Sequence, residues 1–493
     1  MPHPLLYEIN TRCWLRDLSL KQGRDLTLTE VPAAEIGTWR EMGFTHIWLM
    51  GVWRSGPRAR ARALTDPGLR AVYSQVLPSW QEQDVVASPY AIAEYKVLRE
   101  LGGDDALRDF RRRINEAGMK LVLDFVPNHL GLDAPWIWER PELFVQTAAS
   151  TPETFRQSTA SGTVWLAHGK DPNFAPWADT VQIDYRRRVT RSAMTEVLLK
   201  IADHCDGVRC DMAMLVLNDV FAKTWQRFAD GDAPAGEEFW EKAIAAVKQT
   251  RQDFIFIAEA YWGLERRLQA LGFNYTYDKA LYDKLLARQA AEVQRYILDS
   301  ATGLAAGTHF LENHDEPRIG ALMSQPEHRA ATLVMLGLPG LRLLHEGQLE
   351  GARIKIPVQL ARRPQEPVNA EIKKMYDELL SNVRTSAVGQ GSCEILAPRP
   401  AWPGNPTGQN FILLQWQTQG PEFDLVVVNL APHRSQCYAP LQLPKSRAEN
   451  WRLKDLLGQE QYIRYAGDLQ AHGLYLDLPG NGAQLFRFEP FSR

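Results

Sequence analysis

The strongest constraint on the fold is an alternation that runs through the first 350 residues. A short apolar run rich in β-forming residues is followed by a longer stretch with helical spacing, and the pair recurs without internal sequence repetition. Alternating units of this kind predict parallel strands. Eight candidate strands favour a closed (β/α)8 barrel, although an open doubly wound sheet would give the same alternation. The predicted strands are Leu5–Leu15, His46–Met50, Leu121–Val126, Gly207–Asp211, Phe254–Glu259, Phe273–Tyr277, His309–Asn313 and Leu341–His345, and the predicted helices include Asp105–Ala117, Arg188–His204 and Ala370–Leu380.

Two stretches break this alternation. Residues 131–183 are rich in Trp, Pro and polar residues, which predicts a loop-rich subdomain inserted after the third strand, on the face where such barrels carry their sites. After residue 391, short β-forming runs bounded by Pro, Gly and Asn predict a C-terminal antiparallel β-sandwich without helices. The predicted domains are therefore a barrel over 1–390, its insertion at 131–183 and a β-domain over 391–493. Residues 230–236 are expected to form a surface loop.

Composition excludes several classes of partner. The net charge of −3 gives no general attraction to nucleic acid or anionic lipid. No apolar run of about 18 residues is present, so no membrane span is expected. The five scattered cysteines form neither a disulfide framework nor a metal pair, and no basic, apolar leader opens the chain. We therefore expect a cytoplasmic protein that is a monomer or a homodimer.

Four predicted strands carry an acidic residue at or close to their C-terminal end. An Asp after an apolar run often caps the next helix, so each of these segments taken alone has an ordinary structural explanation. Their combination points to a site, because the ends of strands 3, 4, 5 and 7 of a barrel meet at one mouth. The segments are Asp124-Phe-Val-Pro-Asn128-His129, Gly207-Val-Arg209-Cys-Asp211, Ile257-Ala-Glu259 and Asn313-His314-Asp315.

These segments closely resemble the four hallmark motifs of the α-amylase superfamily, glycoside hydrolase family 13. The motifs are Asp-x-x-x-Asn-His, Gly-x-Arg-x-Asp, a Glu that ends an apolar strand, and Asn-His-Asp, and all four occur in the family's order. The resemblance implies a retaining enzyme acting on α-linked glucose units, with Asp211 as nucleophile, Glu259 as proton donor and Asp315 as the third acid. It also implies four substrate-binding residues: Tyr90, within a segment similar to the one that carries the family's stacking tyrosine, His129, Arg209 and His314.

Elementary geometry agrees with these implied roles. A retaining glycosidase needs two carboxyl groups about 5–5.5 Å apart. Neighbouring strands lie about 4.8 Å apart, so Asp211 and Glu259 can reach that separation. Arg209 alternates onto the face of Asp211 and should keep it ionised, while apolar neighbours such as Ile257 should raise the pKa of Glu259. We therefore expect the pKa of Asp211 to be lowered and the pKa of Glu259 to be raised.

The resemblance implies that no organic cofactor is required. In many relatives the residue at the position of Asn128 binds calcium, with Asp171 or Asp184 as further candidate ligands here. A hard-cation site needs six or more oxygens, and the sequence does not supply that set with clear spacing. A structural role for Asn128 is the stronger interpretation, and calcium stays an open alternative.

The chain departs from the family pattern directly after the nucleophile. Many starch-degrading relatives have Ala followed by a Lys-His pair at this point, whereas this chain has Met212-Ala-Met214-Leu215. The apolar replacement argues against long-chain starch as the substrate of an endohydrolase. The first hypothesis is hydrolysis of α-1,4-linked gluco-oligosaccharides, with an α-glucan or malto-oligosaccharide as substrate. The second is a transglycosidase, isomerase or phosphorylase of the same superfamily acting on a small α-glucoside, and the third is a non-catalytic carbohydrate-binding protein.

Overall fold

The computed structural model describes residues 2–159, 162–228 and 236–492. The predicted surface loop at 230–236 therefore lies, except for Gly236, outside the described residues. Within the described ranges, no helix has both the length and the apolarity needed to cross a membrane.

Eight parallel strands close into a barrel. Each strand pairs with the next along the chain, and the last pairs with the first. Large side chains such as Trp48, Tyr277 and Phe310 fill its interior, so it is a packed core. The predicted (β/α)8 fold is confirmed. The strands are β1 (Leu5–Asn10), β2 (His46–Met50), β3 (Lys120–Phe125), β4 (Gly207–Cys210), β5 (Ile255–Ala258), β6 (Tyr275–Tyr277), β7 (Gly307–His309) and β8 (Leu341–His345).

Two predicted strands were too long or misplaced. The sequence predicts the first strand to Leu15, but the Asn10 side chain accepts a hydrogen bond from the Cys13 amide and caps a helix that begins at Thr11. The seventh was placed at His309–Asn313, but it ends at His309, and the residues that follow leave the barrel wall as a loop. In both cases an apolar run continued past the end of the strand.

Helices surround the barrel and pack on its outer face. Polar residues cap several of them, as Asn369 does for the helix that follows β8. The helices before residue 390 are α1 (Thr11–Gln22), Ala33–Glu41, Pro57–Thr65, Pro67–Val76, Gly103–Glu116, Trp136–Glu139, Arg188–Ala202, Asn218–Thr224, Phe239–Thr250, Glu265–Ala270, Lys279–Leu286, Ala290–Asp299, Ile319–Leu322, Gln325–Gly337 and Ala370–Thr385.

The insertion after β3 is built from short antiparallel strands. A two-stranded sheet joins His129–Gly131 to Thr180–Gln182. A three-stranded sheet has Gly162–Ala167 at its centre, between Gln146–Thr147 and Thr154–Thr159. The two-stranded sheet begins four residues after β3 ends, which places the insertion at the mouth of the barrel.

The C-terminal part forms two antiparallel sheets, of six and three strands. It packs against the helix Gln325–Gly337, and the Trp416 indole donates to the Gly337 carbonyl at 2.7 Å. The expectation that helices are absent here was wrong, because Ala466–His472 is helical. We propose 1–390, 131–183 and 391–493 as the domain boundaries. The strands are Ser392–Ile395, Arg399–Pro400, Phe411–Gln417, Phe423–Asn429, Ser435–Ala439, Asn450–Asp455, Gln461–Tyr465, Leu474–Leu478 and Ala483–Phe491.

Candidate active site

One guanidinium joins the two predicted catalytic carboxyl groups. Arg209, near the end of β4, donates to Asp211 Oδ1 at 2.6 Å and to Glu259 Oε2 at 2.7 Å through separate nitrogens. The parallel register explains this arrangement, since Cys210 lies level with Ala258 and the next residue on each strand is an acid. The two carboxyl groups therefore lie on either side of a single buried side chain.

The Glu259 carboxyl group has two further donors. The Met212 amide reaches Oε2 at 2.8 Å, and the Tyr261 hydroxyl reaches Oε1 at 2.7 Å. Met212 adopts a φ of 43°, the left-handed region that residues other than glycine enter rarely, and this conformation accompanies the turn that brings its amide to Glu259. Burial raises the pKa of Glu259 to about 7, helped by Asp211 and Asp315 and opposed by Arg209.

The sequence predicts a lowered pKa for Asp211 and a raised pKa for Glu259, but both are raised in the structure. Burial also raises the pKa of Asp211, while the Arg209 guanidinium lowers it. The expectation failed because it left out the burial of Asp211, which outweighs the lowering by Arg209. The Arg209 side chain also reaches Glu259. What separates the two carboxyl groups is their remaining partners: Glu259 has Met212 and Tyr261, and Asp211 has the closest contact with Arg209.

His314 lies between two carboxylates. Its Nδ1 contacts Glu8 Oε1 at 2.5 Å and its Nε2 contacts Asp315 Oδ2 at 2.9 Å. Although burial disfavours a charged ring, Asp315 and Glu8 together raise the pKa of His314 to about 10. The cationic ring in turn holds the pKa of Asp315, whose side chain is half exposed, below its usual range. At neutral pH the structure therefore supports an ionised Asp315 beside an imidazolium.

Tyr90 packs on this charged ring. Its phenol is stacked on the His314 imidazole at 5.3 Å, and its hydroxyl lies 2.7 Å from His314 Nε2. The Arg209 guanidinium lies 5.3 Å from the centre of the same phenol. The structure thus brings Tyr90, Arg209, His314 and Asp315 into one cluster with the two central acids.

His129 stands on the first strand of the insertion and is neutral. Burial lowers its pKa to about 4, and its ring contacts Trp177 at 5.0 Å. Its neighbour Asn128 is occupied by protein partners, because Gln182 donates to the Asn128 side-chain oxygen at 3.0 Å. This contact favours a structural role for Asn128.

The other candidate calcium ligands are also engaged. Asp184 accepts two bonds from Arg186 at 2.8 Å, and Asp171 accepts one from the Asn173 amide. Across residues 2–159, 162–228 and 236–492, no group of three or more His, Cys, Asp or Glu side chains has the arrangement of a metal site.

Three residues of the cluster were not predicted from the sequence as part of the site. Glu8 stands in the β1 run Leu-Leu-Tyr-Glu-Ile, where an acid between buried apolar neighbours was the available indication. Tyr261 follows Glu259 by two positions, so strand alternation could have suggested that it returns to the same side. Nothing in the sequence indicates that the Met212 amide contacts Glu259, since this contact depends on a backbone angle.

Comparison with known proteins agrees with this geometry. The family described as alpha amylase, catalytic domain, matches residues 39–377. The chain belongs to the α-amylase family. A curated relative, alpha-amylase MalA of Haloarcula japonica, is 22% identical over 55% of this chain and 38% of its own length. The alpha-1,4-glucan:maltose-1-phosphate maltosyltransferase of Rhodospirillum rubrum is 25% identical over 57% of this chain and 36% of its own length. The chain thus spans well under half the length of these two relatives.

Among solved structures, the family fold extends over nearly the whole chain. The noncanonic maltogenic alpha-amylase AmyB from Thermotoga neapolitana superposes with a TM-score of 0.70 at 18% identity, covering 99% of both chains. That likeness includes the C-terminal sheets as well as the barrel. At this identity it is evidence for the fold alone.

Proposed function

We propose that the chain is a retaining α-glycosidase that hydrolyses α-1,4-linked gluco-oligosaccharides. The observation that carries the proposal is the bridge formed by Arg209, which holds Asp211 and Glu259 side by side at the mouth of the barrel. Two carboxyl groups flanking one anomeric carbon are what double displacement requires. Membership of the α-amylase family supports the same chemistry.

In the first step, protonated Glu259 gives its proton to the glycosidic oxygen as that bond breaks. Asp211 attacks the anomeric carbon and forms a glycosyl ester. In the second step, ionised Glu259 takes a proton from water, which attacks the same carbon and releases Asp211. Two inversions return the α-configuration. A pKa of about 7 suits a group that must give and then take a proton near neutral pH.

The remaining cluster would bind the cleaved sugar. Asp315, ionised beside His314, is placed to accept hydrogen bonds from ring hydroxyls that strengthen as the ring flattens toward an oxocarbenium ion. We propose Tyr90, His129, Arg209 and His314 as the substrate-binding residues around it. Three intact carboxyl groups favour catalysis over a purely binding role.

A second candidate sends the glycosyl ester to a sugar, a polyol or phosphate in place of water. The segment after Asp211 supports it, because Ala213, Met214 and Leu215 are buried and leave only the apolar Met212 partly exposed there. An apolar wall offers few partners to hold a hydrolytic water. The relative named as a maltosyltransferase is consistent with this variant of the reaction.

Two measurements test the proposal. Proton NMR of fresh maltotriose digests should show the α-anomer before mutarotation, and a β-anomer would overturn the mechanism. Chromatography of products from maltose to maltoheptaose, glycogen, isomaltose, sucrose and trehalose, with and without added glucose, separates the two candidates. Hydrolysis predicts smaller oligosaccharides in both conditions, whereas transfer predicts longer or new products that increase with the acceptor.

A further inference from the structure

A cavity of about 1040 Å³ lies apart from the acidic cluster. Its lining comes from α1 and the loop after it, from segments 55–60, 86–87 and 98–101, and from Ala361. Leucines form an apolar wall, among them Leu15, Leu26 and Leu101. The volume is that of a site for a small organic molecule. We call it the arginine cavity, because Arg12, Arg16, Arg24 and Arg60 line it against two acids, Asp25 and Glu100.

Two of these arginines already have carboxylate partners. Arg16 pairs with Asp84 at 3.1 Å, and Arg24 pairs with Glu30. Glu30 therefore offsets the charge of Arg24, whereas Asp84 is shared between Arg16 and Arg362.

Arg12 has no such partner. One of its terminal nitrogens donates to the Ala87 carbonyl at 2.8 Å and the other to the Ser55 hydroxyl at 3.4 Å. Within the described part of the chain, no carboxylate lies within 4.0 Å of it. Burial lowers the pKa of Arg12 to about 10, and the charge of Glu100, whose carboxylate lies beyond 4.0 Å, offsets this effect only in part.

Arg60 is held in the same way. Its Nε donates to the Val85 carbonyl at 2.8 Å and a terminal nitrogen to the Glu82 carbonyl at 2.7 Å. No carboxylate among residues 2–159, 162–228 and 236–492 approaches it within 4.0 Å. Two cations that line one cavity are thus anchored by neutral oxygens alone, and part of each fork remains available to a ligand.

The carbonyls that hold Arg12 and Arg60 lie close together along the chain, at Ala87 and Val85. Val85 has extended backbone angles, and Ala87 follows it by two positions. Carbonyls two residues apart on an extended segment point to the same side and lie about 6.6 Å from each other. The guanidiniums of Arg12 and Arg60 therefore lie against the same short segment of chain at one edge of the cavity.

We propose that the arginine cavity binds a phosphomonoester of a small organic molecule, with the phosphate between Arg12 and Arg60 and the organic part against the leucine wall. A phosphomonoester carries a charge of about −1.5 to −2 at pH 7, enough to pair with both guanidiniums although Asp25 and Glu100 on the same lining oppose an anion. A carboxylate carries one charge and would leave one of them unpaired. Arginine forks also fit phosphate oxygens bidentately. The site does not depend on the proposed glycosidase activity.

Calorimetric titration of the full chain at low ionic strength tests this with four probes. Phenyl phosphate combines the anion with an apolar body, inorganic phosphate supplies the anion, benzoate supplies one charge, and phenol supplies the body alone. None of them is a sugar, so none imitates a glycosidase substrate. We expect saturable binding at one site, tightest for phenyl phosphate, weaker for inorganic phosphate and weakest for benzoate and phenol.

Substitutions locate the site. R12Q and R60Q keep N–H donors for the backbone carbonyls but remove the charge, and each should weaken phenyl phosphate binding at least about tenfold. R24Q changes an arginine of the same cavity that is already paired, and D315N changes the acidic cluster; both should stay within about twofold of the wild type. Arg60 is partly exposed, so R60Q tests the site even if R12Q does not fold.

Three results would overturn the proposal. They are the absence of saturable phenyl phosphate binding, binding of benzoate or phenol as tight as that of phenyl phosphate, and wild-type affinity in a folded R60Q variant. Clearly tighter binding of phenyl phosphate in D315N would place the anion in the acidic cluster, where the Asp315 carboxylate repels it, and would refute the arginine cavity as its site.

Discussion

The Glu8 carboxylate and the His314 imidazole, 306 positions apart in sequence, form a buried contact of 2.5 Å at the centre of the active-site cluster. The Glu8 carboxylate contacts Nδ1 of the His314 ring, and the Asp315 carboxylate contacts Nε2. A ring with a carboxylate at each nitrogen is stabilised as an imidazolium. Glu8 therefore acts through His314, as a positioning residue, on Asp315, which we propose as a substrate-binding acid.

Substitution of Glu8 by Gln tests this relationship. The pKa of His314, about 10, lies above its ordinary value of 6.5, so the charge and its stabilising contribution are complete below about pH 6.5 and are lost as the pH rises through 10. The variant lowers this pKa, and the ring then loses its charge within the assay range. We expect kcat/KM to fall about tenfold near pH 6 and about 100-fold near pH 9.

The ratio of wild-type to variant kcat/KM across pH is the measurement, with Glu35→Gln as the control. Glu35 accepts from the Trp14 indole, far from His314 in sequence, and its loss should leave the ratio constant. A Glu8→Gln deficit that does not change with pH would mean that Glu8 serves packing alone.

Substitution of Tyr261 by Phe should shift the alkaline limb of activity. The Tyr261 hydroxyl donates to Glu259 at 2.7 Å and so favours the ionised carboxylate. Without it the pKa of Glu259 rises from about 7, and the protonated form persists to higher pH. The limb of kcat/KM should move upward by about half a pH unit to one unit. Tyr185→Phe, which loses a bond to the Pro127 carbonyl, should not move it; a downward shift in Tyr261→Phe would contradict the assignment.

Substitution of Arg209 by Lys should abolish the bridge between the acids. Lysine presents one compact ammonium, which cannot donate to Asp211 and Glu259 with the geometry of the guanidinium. We expect kcat to fall about 1000-fold, together with a lower urea midpoint, because a buried charge cluster is left poorly paired. Arg186→Lys, a buried arginine paired with Asp184, should lower the midpoint while kcat is retained. Near-normal kcat in Arg209→Lys would refute the bridge.

Removal of divalent metal should have little effect. The side-chain oxygen of Asn128 is taken by Gln182, and both oxygens of Asp184 are taken by Arg186. Because we expect no bound ion, dialysis against EDTA should leave Tm within about 1 °C. A bound ion would stabilise the fold by mass action, and its removal would lower Tm. A rise of more than about 3 °C on adding back calcium would show that an ion does bind and would revise the role given to Asn128.

The sequence predicted the parts of the site that follow from strand periodicity. Asp211 and Glu259 end neighbouring parallel strands, so their convergence is a consequence of register. Arg209 alternates with Asp211, and its contact with that residue was expected for the same reason. Its second contact, with Glu259, was not expected, because the lateral reach of a long side chain is not encoded in spacing.

Contacts between distant segments could not be predicted. The pairing of Glu8 with His314 joins the first barrel strand to the loop after the seventh, and only closure of the barrel brings them together. The left-handed turn at Met212 depends on the backbone rather than on residue type. The arginine cavity likewise needs α1 and the segment around Ala87 to be placed next to each other.

The most direct test of the central claim is the turnover of Asp211→Asn on maltotriose. The amide keeps the size of the side chain but removes the nucleophile, while the contacts of Glu259 with Met212 and Tyr261 remain. We predict that the variant folds and binds oligosaccharide nearly as the wild type does, and that kcat falls by about three orders of magnitude or more. A folded variant that retains more than about a tenth of wild-type kcat would contradict the account.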